Sequence, residues 1–260
     1  MVEAILFDLG DTLINFGIGR KEAEVMFKRG ARLSYDYLFA RGRAVGTYGN
    51  YFAAHYRTMH RAYFWSKVCG RDFNYENVLR RVAVSLHIPL SPAELREVAW
   101  HWYAPIAESA DIEPGLHTML VNLRKAGTKM AIISNTLVPG YCMDRHLDAA
   151  ELLHFFPVRI YSSQTRFRKP HRRIFEIALE ALGVPAERSI FVGDLLHADI
   201  KGGRRMGMKT VWKPGRKGPD GNPIARLKPD HTIGKITDLP AALRQMGWRP
   251  SAELATAGIA

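Results

Sequence analysis

Short apolar runs that end in polar residues recur along this chain, and they restrict its possible folds more than any other feature. The first run is ILFDLGDTL at residues 5–13, and three later runs repeat its pattern: KMAIISNT (129–136), RIYSS (159–163) and RSIFVGD (188–194). Each is typical of a buried strand. Between them, LHTMLVNLRKAG and RRIFEIALEALG have apolar residues at helical spacing and stop at Gly127 and Gly183. This alternation predicts an α/β fold with a parallel sheet.

The last part of the chain continues the same pattern. KTVW (209–212) and DHTI (230–233) are predicted strands, and LPAALRQMG is a predicted final helix. The segment between the two strands, Lys213 to Pro229, is rich in Gly, Pro, Lys and Arg and is predicted to be a loop. Residues 250–260 have no clear periodicity, and we expect a C-terminal tail there.

Residues 16–110 differ from the rest of the chain, because four segments have helical spacing and little strand character. One of these segments begins with Ser91, Pro92 and Glu94, a combination typical of a helix start with a capping box. We therefore predict a Rossmann-like core formed by residues 1–15 and 111–249, with a helical domain inserted at residues 16–110.

Composition narrows the class of protein. Hydrophobic residues make up 47% of the chain and charged residues 24%, as in ordinary globular proteins. The only two cysteines, Cys69 and Cys142, support neither a disulfide framework nor a four-ligand zinc site. This use of cysteine favours the reducing cytoplasm. Because the sequence contains no run of about 18 uncharged apolar residues, we expect no membrane span.

The net charge of +12 suits an anionic partner, and most of the excess lies in residues 111–260. The basic runs RFRKPHRR (166–173) and KGGRRMGMK (201–209) lack the interleaved aromatic residues that stack on bases. Nucleic acid is therefore an unlikely partner, and a rim that attracts phosphate, or a solvated basic surface, explains the charge more simply. The sequence does not indicate an oligomeric state.

Polar residues cluster where the predicted strands end. They are Asp8 to Thr12 after the first strand, Ser134 to Thr136 after the second, and Gly193-Asp194 after the fourth, while Lys169 precedes a helix. In a parallel sheet, ligands bind outside the carboxyl ends of the strands. We therefore predict one site that contains acids, a hydroxyl group and a lysine.

These motifs resemble those of the haloacid dehalogenase superfamily, in particular its phosphatases with a helical cap of the C1 type. The four family motifs match DLGDT at residues 8–12, SNT beginning at Ser134, RKP around Lys169, and GDLLHAD, which contains Asp194 and Asp199. The helical segment at residues 16–110 occupies the place of the cap, between the first and second motifs. The resemblance covers nearly the whole chain.

The resemblance implies a phosphatase that acts on a small phosphorylated metabolite. Asp8 would be the nucleophile that forms an aspartyl phosphate, and Thr12 would orient the nucleophile or the phosphate. Ser134, Asn135 and Lys169 would bind the phosphate, and Lys169 would also offset the developing charge. Mg²⁺ would be the cofactor, held by the residues that match the family's metal site: Asp8, Gly10 through its carbonyl, Asp194 and Asp199.

One position departs from the family pattern. Phosphatases of this family usually have an aspartate two residues after the nucleophile, where it protonates the leaving oxygen, and here that residue is Gly10. Asp11 follows directly, but we expect it to cap the next turn, because neighbouring residues of an extended segment point to different faces. The superfamily's dehalogenases also lack the acid, so a 2-haloacid dehalogenase is an alternative, and a non-catalytic nucleic-acid-binding or protein-binding member of the fold is another.

Within the helical segment, the stretch AHYRTMHRAYFW places His55 and Tyr63 on one helix face and Arg57 and Arg61 on another. Two interpretations are open. The stretch is either an amphipathic helix with basic residues in solvent or part of the substrate-binding surface.

Overall fold

The computed structural model describes residues 2–17, 19–215 and 227–249. Its main sheet has six parallel strands in the order β5-β4-β1-β6-β7-β8. The strands are β1 (Ala4–Phe7), β4 (Lys129–Ser134), β5 (Val158–Tyr161), β6 (Ser189–Gly193), β7 (Lys209–Trp212) and β8 (His231–Thr232). This confirms the predicted α/β fold.

The first strand lies at the centre of the sheet and is buried on both faces. Ile5 and Phe7 belong to one apolar cluster, while Ala4 and Leu6 belong to another on the opposite face. A strand covered by helices on both sides needs apolar residues at every position, which explains the uninterrupted run at the start of the sequence. Because β1 pairs with β4 on one side and β6 on the other, the direction of winding changes at β1, where α/β sheets bind their ligands.

Helices cover the two faces of this sheet. They are α5 (Leu116–Lys125), α6 (Gly140–Ala149), the short α7 (Ser162–Thr165), α8 (Arg172–Leu182), α9 (Lys201–Met206) and α10 (Leu239–Gln245). A turn of π-helix at Leu196–Ile200 leads into α9. The sequence patterns predicted α5, α8 and α10 but not α6.

Four further helices form the inserted segment: α1 (Arg20–Ala40), α2 (Tyr48–Cys69), α3 (Tyr75–Ser85) and α4 (Pro92–Ser109). The predicted capping box begins α4, where Ser91 and Glu94 each accept a hydrogen bond from the other's backbone N–H group. Gly30 allows α1 to approach α4, because a Cβ atom at Gly30 would lie 2.2 Å from the carbonyl oxygen of Trp102. None of the helices in the described part of the chain is long and apolar enough to cross a lipid bilayer.

A two-stranded antiparallel ribbon joins the helical segment to the sheet. Its strands are β2 (Ile14–Asn15), where the chain leaves the core, and β3 (Asp111–Ile112), where it returns. The sequence patterns did not predict this ribbon, since two-residue strands carry no periodicity. Of the predicted loop Lys213 to Pro229, only the two ends are described, and the predicted tail at residues 250–260 lies outside the described residues.

Candidate active site

Three carboxylates meet at the carboxyl end of the sheet. Asp8 follows β1, Asp194 follows the adjacent β6, and Asp199 lies in the π-helical turn. One carboxylate oxygen from each residue lies within 4.8 Å of the others. Gly193 makes room for this arrangement, because a Cβ atom there would lie 2.5 Å from the Asp199 side chain. The glycine of the GD dipeptide is therefore required by packing against Asp199.

The Lys169 ammonium group joins the carboxylates. Its Nζ atom lies 2.5 Å from Oδ1 of Asp8 and 2.8 Å from Oδ1 of Asp199, and the lysine is only 3% exposed. The backbone of Lys169 is held by Asn135, whose Oδ1 accepts from the Lys169 N–H group at 2.8 Å and whose Nδ2 donates to the Lys169 carbonyl at 3.0 Å. Asn135 therefore positions the lysine, and its contact with phosphate stays a prediction.

Burial and the neighbouring charges shift the pKa values of Asp8, Asp194 and Lys169. Burial raises the pKa of Asp8 to about 6, although Lys169 partly offsets the increase. Burial, together with the charges of Asp8 and Asp199, raises the pKa of Asp194 to about 9. Burial lowers the pKa of Lys169, but the charges of Asp199 and Asp8 outweigh it and raise that pKa above its ordinary value. Lys169 pairs with only two of these three carboxylates, so the cluster has a surplus of negative charge.

A hard divalent cation fits this cluster. Such ions prefer oxygen ligands, and the cluster offers carboxylate oxygens at a spacing that one ion can bridge. A bound cation would also offset the charges of Asp8 and Asp199, which add to the effect of burial in raising the pKa of Asp194. Gly10, whose carbonyl is the predicted fourth ligand, lines the cavity in front of the carboxylates.

The predicted hydroxyl groups lie next to the cluster. Thr12 is buried and its Oγ1 donates a long hydrogen bond of 3.5 Å to Oδ2 of Asp8. Ser134 ends β4 and lines the same cavity as Asp8, Lys169 and Asp194. The structure therefore brings all the predicted site residues to one end of the sheet.

Asp11 caps a turn, as the sequence predicted. Its backbone is left-handed, with φ of 55°, and its Oδ1 accepts a hydrogen bond from the Phe16 N–H group at 3.2 Å. The buried Lys213, directly after β7, supports this turn by donating to the Asp11 carbonyl at 2.9 Å, and it also pairs with Glu113 at 2.8 Å. Neither Lys213 nor Glu113 was recognised in the sequence, because each belongs to no motif.

Asp8 and Asp194 line a cavity of about 440 Å³, and an apolar surface forms another part of its lining. This apolar surface consists of Phe16, Tyr103, Ile106, Val138 and Met143. Tyr103 and Ile106 come from the last turns of α4, and sequence reasoning missed both. Their position just before the chain returns to the sheet was the signal that could have found them.

A buried histidine fixes the orientation of Tyr103. The hydroxyl group of Tyr103 lies 2.8 Å from Nδ1 of His146, and burial lowers the pKa of His146 to about 4. The imidazole is therefore neutral at physiological pH and holds Tyr103 at the cavity without adding charge.

The aromatic and basic residues of α2 do not line this cavity. His55 is fully buried inside the helical segment, where it is hydrogen-bonded to the Tyr75 hydroxyl and where burial lowers its pKa to about 3. Tyr63 on the same helix is 51% exposed. Of the two interpretations of this stretch, the structure favours the amphipathic helix.

Comparison with known proteins gives the class of this molecule. Residues 70–213 match the model of the haloacid dehalogenase-like hydrolase family. The match spans more than half of the chain, and the chain belongs to this family of hydrolases. The resemblance inferred from the four motifs is confirmed.

Two of the relatives with similar sequences are phosphatases. The chain is 30% identical over 220 residues to the glyceraldehyde 3-phosphate phosphatase of Pyrococcus abyssi, which covers 82% of this chain and 81% of the relative. It is 29% identical over 149 residues to the phosphoserine phosphatase of Thermus thermophilus, which covers 57% of each chain.

Solved structures share the fold. A HAD phosphatase from Thermococcus onnurineus superposes with a TM-score of 0.57 at 23% identity, over 95% of this chain and 98% of that one. A 2-haloacid dehalogenase from Pseudomonas syringae pv. tomato superposes with a TM-score of 0.62 at 20% identity, over 95% of this chain and 100% of that one. The fold is therefore common to both chemistries, and the distinction between them depends on the residues of the site.

Proposed function

We propose that the protein is a phosphatase that hydrolyses a small phosphorylated metabolite through an aspartyl phosphate on Asp8. The observation that carries the proposal is the cluster of Asp8, Asp194 and Asp199, in which the buried ammonium group of Lys169 pairs with Asp8 and Asp199. A cavity of about 440 Å³ in front of the cluster suits a small molecule. The phosphatase names of the relatives support the same reaction.

Asp8 is suited to be the nucleophile because it lines the cavity and its carboxylate is held by two neighbours. Lys169 pairs with Oδ1, and Thr12 donates to Oδ2. In the first step, an Asp8 oxygen forms a bond to phosphorus while the bond from phosphorus to the ester oxygen breaks, and the departing oxygen takes a proton from water because Gly10 supplies none. In the second step, water attacks the acyl phosphate, which releases inorganic phosphate and restores Asp8.

Lys169 and Ser134 are proposed to hold the transferring group. The lysine lies against the attacking carboxylate and places its positive charge where the anionic nucleophile and the anionic phosphate must approach each other. The Ser134 hydroxyl group, at the end of β4 in the same cavity, would donate to a phosphate oxygen.

We propose Mg²⁺ as the cofactor. Asp8, Asp194 and the Gly10 carbonyl would hold the ion. Asp199 would contribute through water, since one of its oxygens pairs with Lys169 and the other accepts from the Leu195 N–H group at 2.9 Å. When bound, the ion would reduce the repulsion between the carboxylate and the phosphate.

We further propose that residues 1–15 and 111–249 act as the catalytic core and residues 16–110 as a cap that selects the substrate. The β2–β3 ribbon supports this division, because both connections between the two parts run through it. Tyr103 and Ile106 of α4 support a cap function, since they line the same cavity as Asp8 and Asp194. A location in the cytoplasm stays a prediction.

The test is a screen of phosphorylated metabolites with and without Mg²⁺, using the wild type and Asp8→Asn. We expect phosphate release that requires both the metal and Asp8, because an amide keeps the shape of the side chain but does not form an acyl phosphate. Circular dichroism of the variant controls for folding. Halide release from 2-haloacids without phosphate release would replace this proposal with dehalogenation, and turnover by Asp8→Asn at the wild-type rate would refute the assignment of the nucleophile.

A further inference from the structure

A second cavity of about 810 Å³ lies beside the catalytic cavity. We call it the basic groove. Asn135, Lys169 and Leu195 line both cavities, and the side chain of Leu195 is 39% exposed. One side of the groove is formed by residues 69–71 at the end of α2, and the other by residues 166–171, His197 and Arg205 of the core. A substrate held at Asp8 is therefore close enough to extend past Leu195 into the groove.

The groove is strongly basic. Its basic side chains, apart from Lys169, are Arg71, Arg166, Arg168, Arg205, His171 and His197, and none of the described residues that line it is acidic. Arg168 is neutralised by Asp72 in an ion pair of 3.2 Å.

The other three arginines of the groove are exposed, and no carboxylate in the described part of the chain pairs with them. Arg71 follows α2, Arg166 follows α7, and Arg205 lies in α9. Three elements that are distant in sequence therefore direct unpaired guanidinium groups to one groove.

The loop that carries Arg166 is held in one conformation. Arg166 has a φ of 64°, which residues with side chains rarely adopt, and its N–H group donates to the Ser162 carbonyl at 3.1 Å. Thr165 Oγ1 bonds to the Phe167 carbonyl at 3.0 Å, and the Phe167 ring stacks on His171 with centroids 4.7 Å apart. A preorganised loop loses little conformational entropy when it binds an anion.

We propose that the basic groove binds a second phosphate of the substrate, so that the enzyme acts on metabolites that carry two phosphate groups. The proposal rests on the proposed function, which places the first phosphate at Asp8. Guanidinium groups match phosphate oxygens because their N–H groups form a planar fork, and a phosphate in this groove would meet up to three of them. A single isolated phosphate has no need of a basic groove outside the catalytic cavity.

The test measures binding rather than turnover, so that it does not depend on the reaction. Alkane α,ω-diphosphonates with two to six carbons are compared by calorimetry with alkyl monophosphonates of equal length, in the presence of Mg²⁺. We expect the best diphosphonate to bind about tenfold more tightly than its monophosphonate. Arg166→Gln and Arg205→Gln should each reduce this advantage by about threefold or more. Arg244→Gln, which removes an exposed charge from α10 on another part of the core, is the matched control and should keep the advantage.

Three outcomes would overturn the proposal. Equal affinity for diphosphonates and monophosphonates of every length would show that the groove does not hold a second phosphate. An equal loss of affinity for both ligand types in the arginine variants would show that these residues only attract anions in general. Tighter binding of a 5′-phosphorylated trinucleotide than of any diphosphonate would assign the groove to nucleic acid. If diphosphonates bind more tightly than monophosphonates but no phosphate ester is hydrolysed, the second phosphate site is supported and the proposed phosphatase reaction is refuted.

Discussion

Replacing Lys169 by methionine should weaken folding as well as catalysis. Its ammonium group is buried and pairs with Asp8 and Asp199, at 2.5 and 2.8 Å. Methionine is similar in length but carries no charge, so the variant leaves the carboxylates without their internal cation. Removing one partner of a buried ion pair typically costs about 3–5 kcal/mol. For a protein of this size, that corresponds to a fall in Tm of about 6–20 °C.

Magnesium should reverse part of this loss. Without Lys169 the cluster is more negative, and a divalent cation should therefore stabilise the variant more than it stabilises the wild type. Binding at a hundred times the dissociation constant contributes about 2.7 kcal/mol through mass action. Phosphatase activity should stay low even with the metal bound, because Mg²⁺ does not replace the charge that lies against the attacking oxygen.

The assay is urea unfolding in EDTA and in excess MgCl₂, with kcat/KM measured on the folded protein in MgCl₂. Lys125→Met, at an exposed position in α5, is the matched control and should change the free energy of unfolding by no more than about 0.5 kcal/mol. If Lys169→Met is as stable in EDTA as Lys125→Met, the reasoning from the buried cluster is wrong.

Three further changes test the site. Without metal, the wild type should lose stability as pH rises from about 7 towards 9, because the pKa of Asp194 is raised from 3.8 to about 9 and the folded protein therefore binds a proton that the unfolded chain releases. At lower pH, His55 and His146 have the opposite effect, because burial lowers their pKa values. Excess Mg²⁺ should flatten the fall in Tm above pH 7, and an equally flat profile in EDTA would contradict the raised pKa. Gly10→Asp should improve kcat/KM for alkyl phosphates relative to aryl phosphates, by at most about 10²–10⁴-fold. The new Cβ would lie 3.3 Å from the Phe16 ring, which must shift slightly. The measurement is the slope of log kcat/KM against the pKa of the leaving group for a series of phosphate esters. A slope equal to that of the wild type would rule out a missing acid at residue 10. Gly193→Ala should displace Asp199 and lower the free energy of unfolding by about 1–3 kcal/mol, because the new Cβ would lie 2.5 Å from the Asp199 side chain. Calorimetry should show weaker Mg²⁺ binding by this variant. Binding with wild-type affinity would show that Asp199 is not part of the metal site.

The sequence alone was sufficient to predict the alternation of strands and helices in the core. The strand at Lys209–Trp212 has the bounds that its apolar pattern predicted, and α4 begins with the predicted capping box. Both signals are local, since the spacing of apolar residues and the caps of a helix depend only on neighbours within a few positions. The four motifs were local as well, and their order along the chain was sufficient to predict a shared edge of one sheet.

Other features depended on contacts between distant parts of the chain. The two-residue strands β2 and β3 pair across the whole helical segment, and too few residues are involved to leave a periodic pattern. The side chain of Asn135 reaches the Lys169 backbone across 34 positions, so its positioning function could not be read from the SNT motif. Lys213 and Glu113 likewise meet only because the residues directly after β7 and β3 approach the same turn.

Tertiary structure also decided which charges are buried and which stay exposed. In the sequence, the basic run at residues 166–173 is a uniform cluster of positive charge. In the folded protein, its residues have different surroundings. Lys169 becomes buried among carboxylates, Arg168 pairs with Asp72, and Arg166 is left exposed in the basic groove. Residue type determines that a side chain carries charge, but its surroundings determine what that charge can bind, because electrostatic energy depends on distance and on access to water.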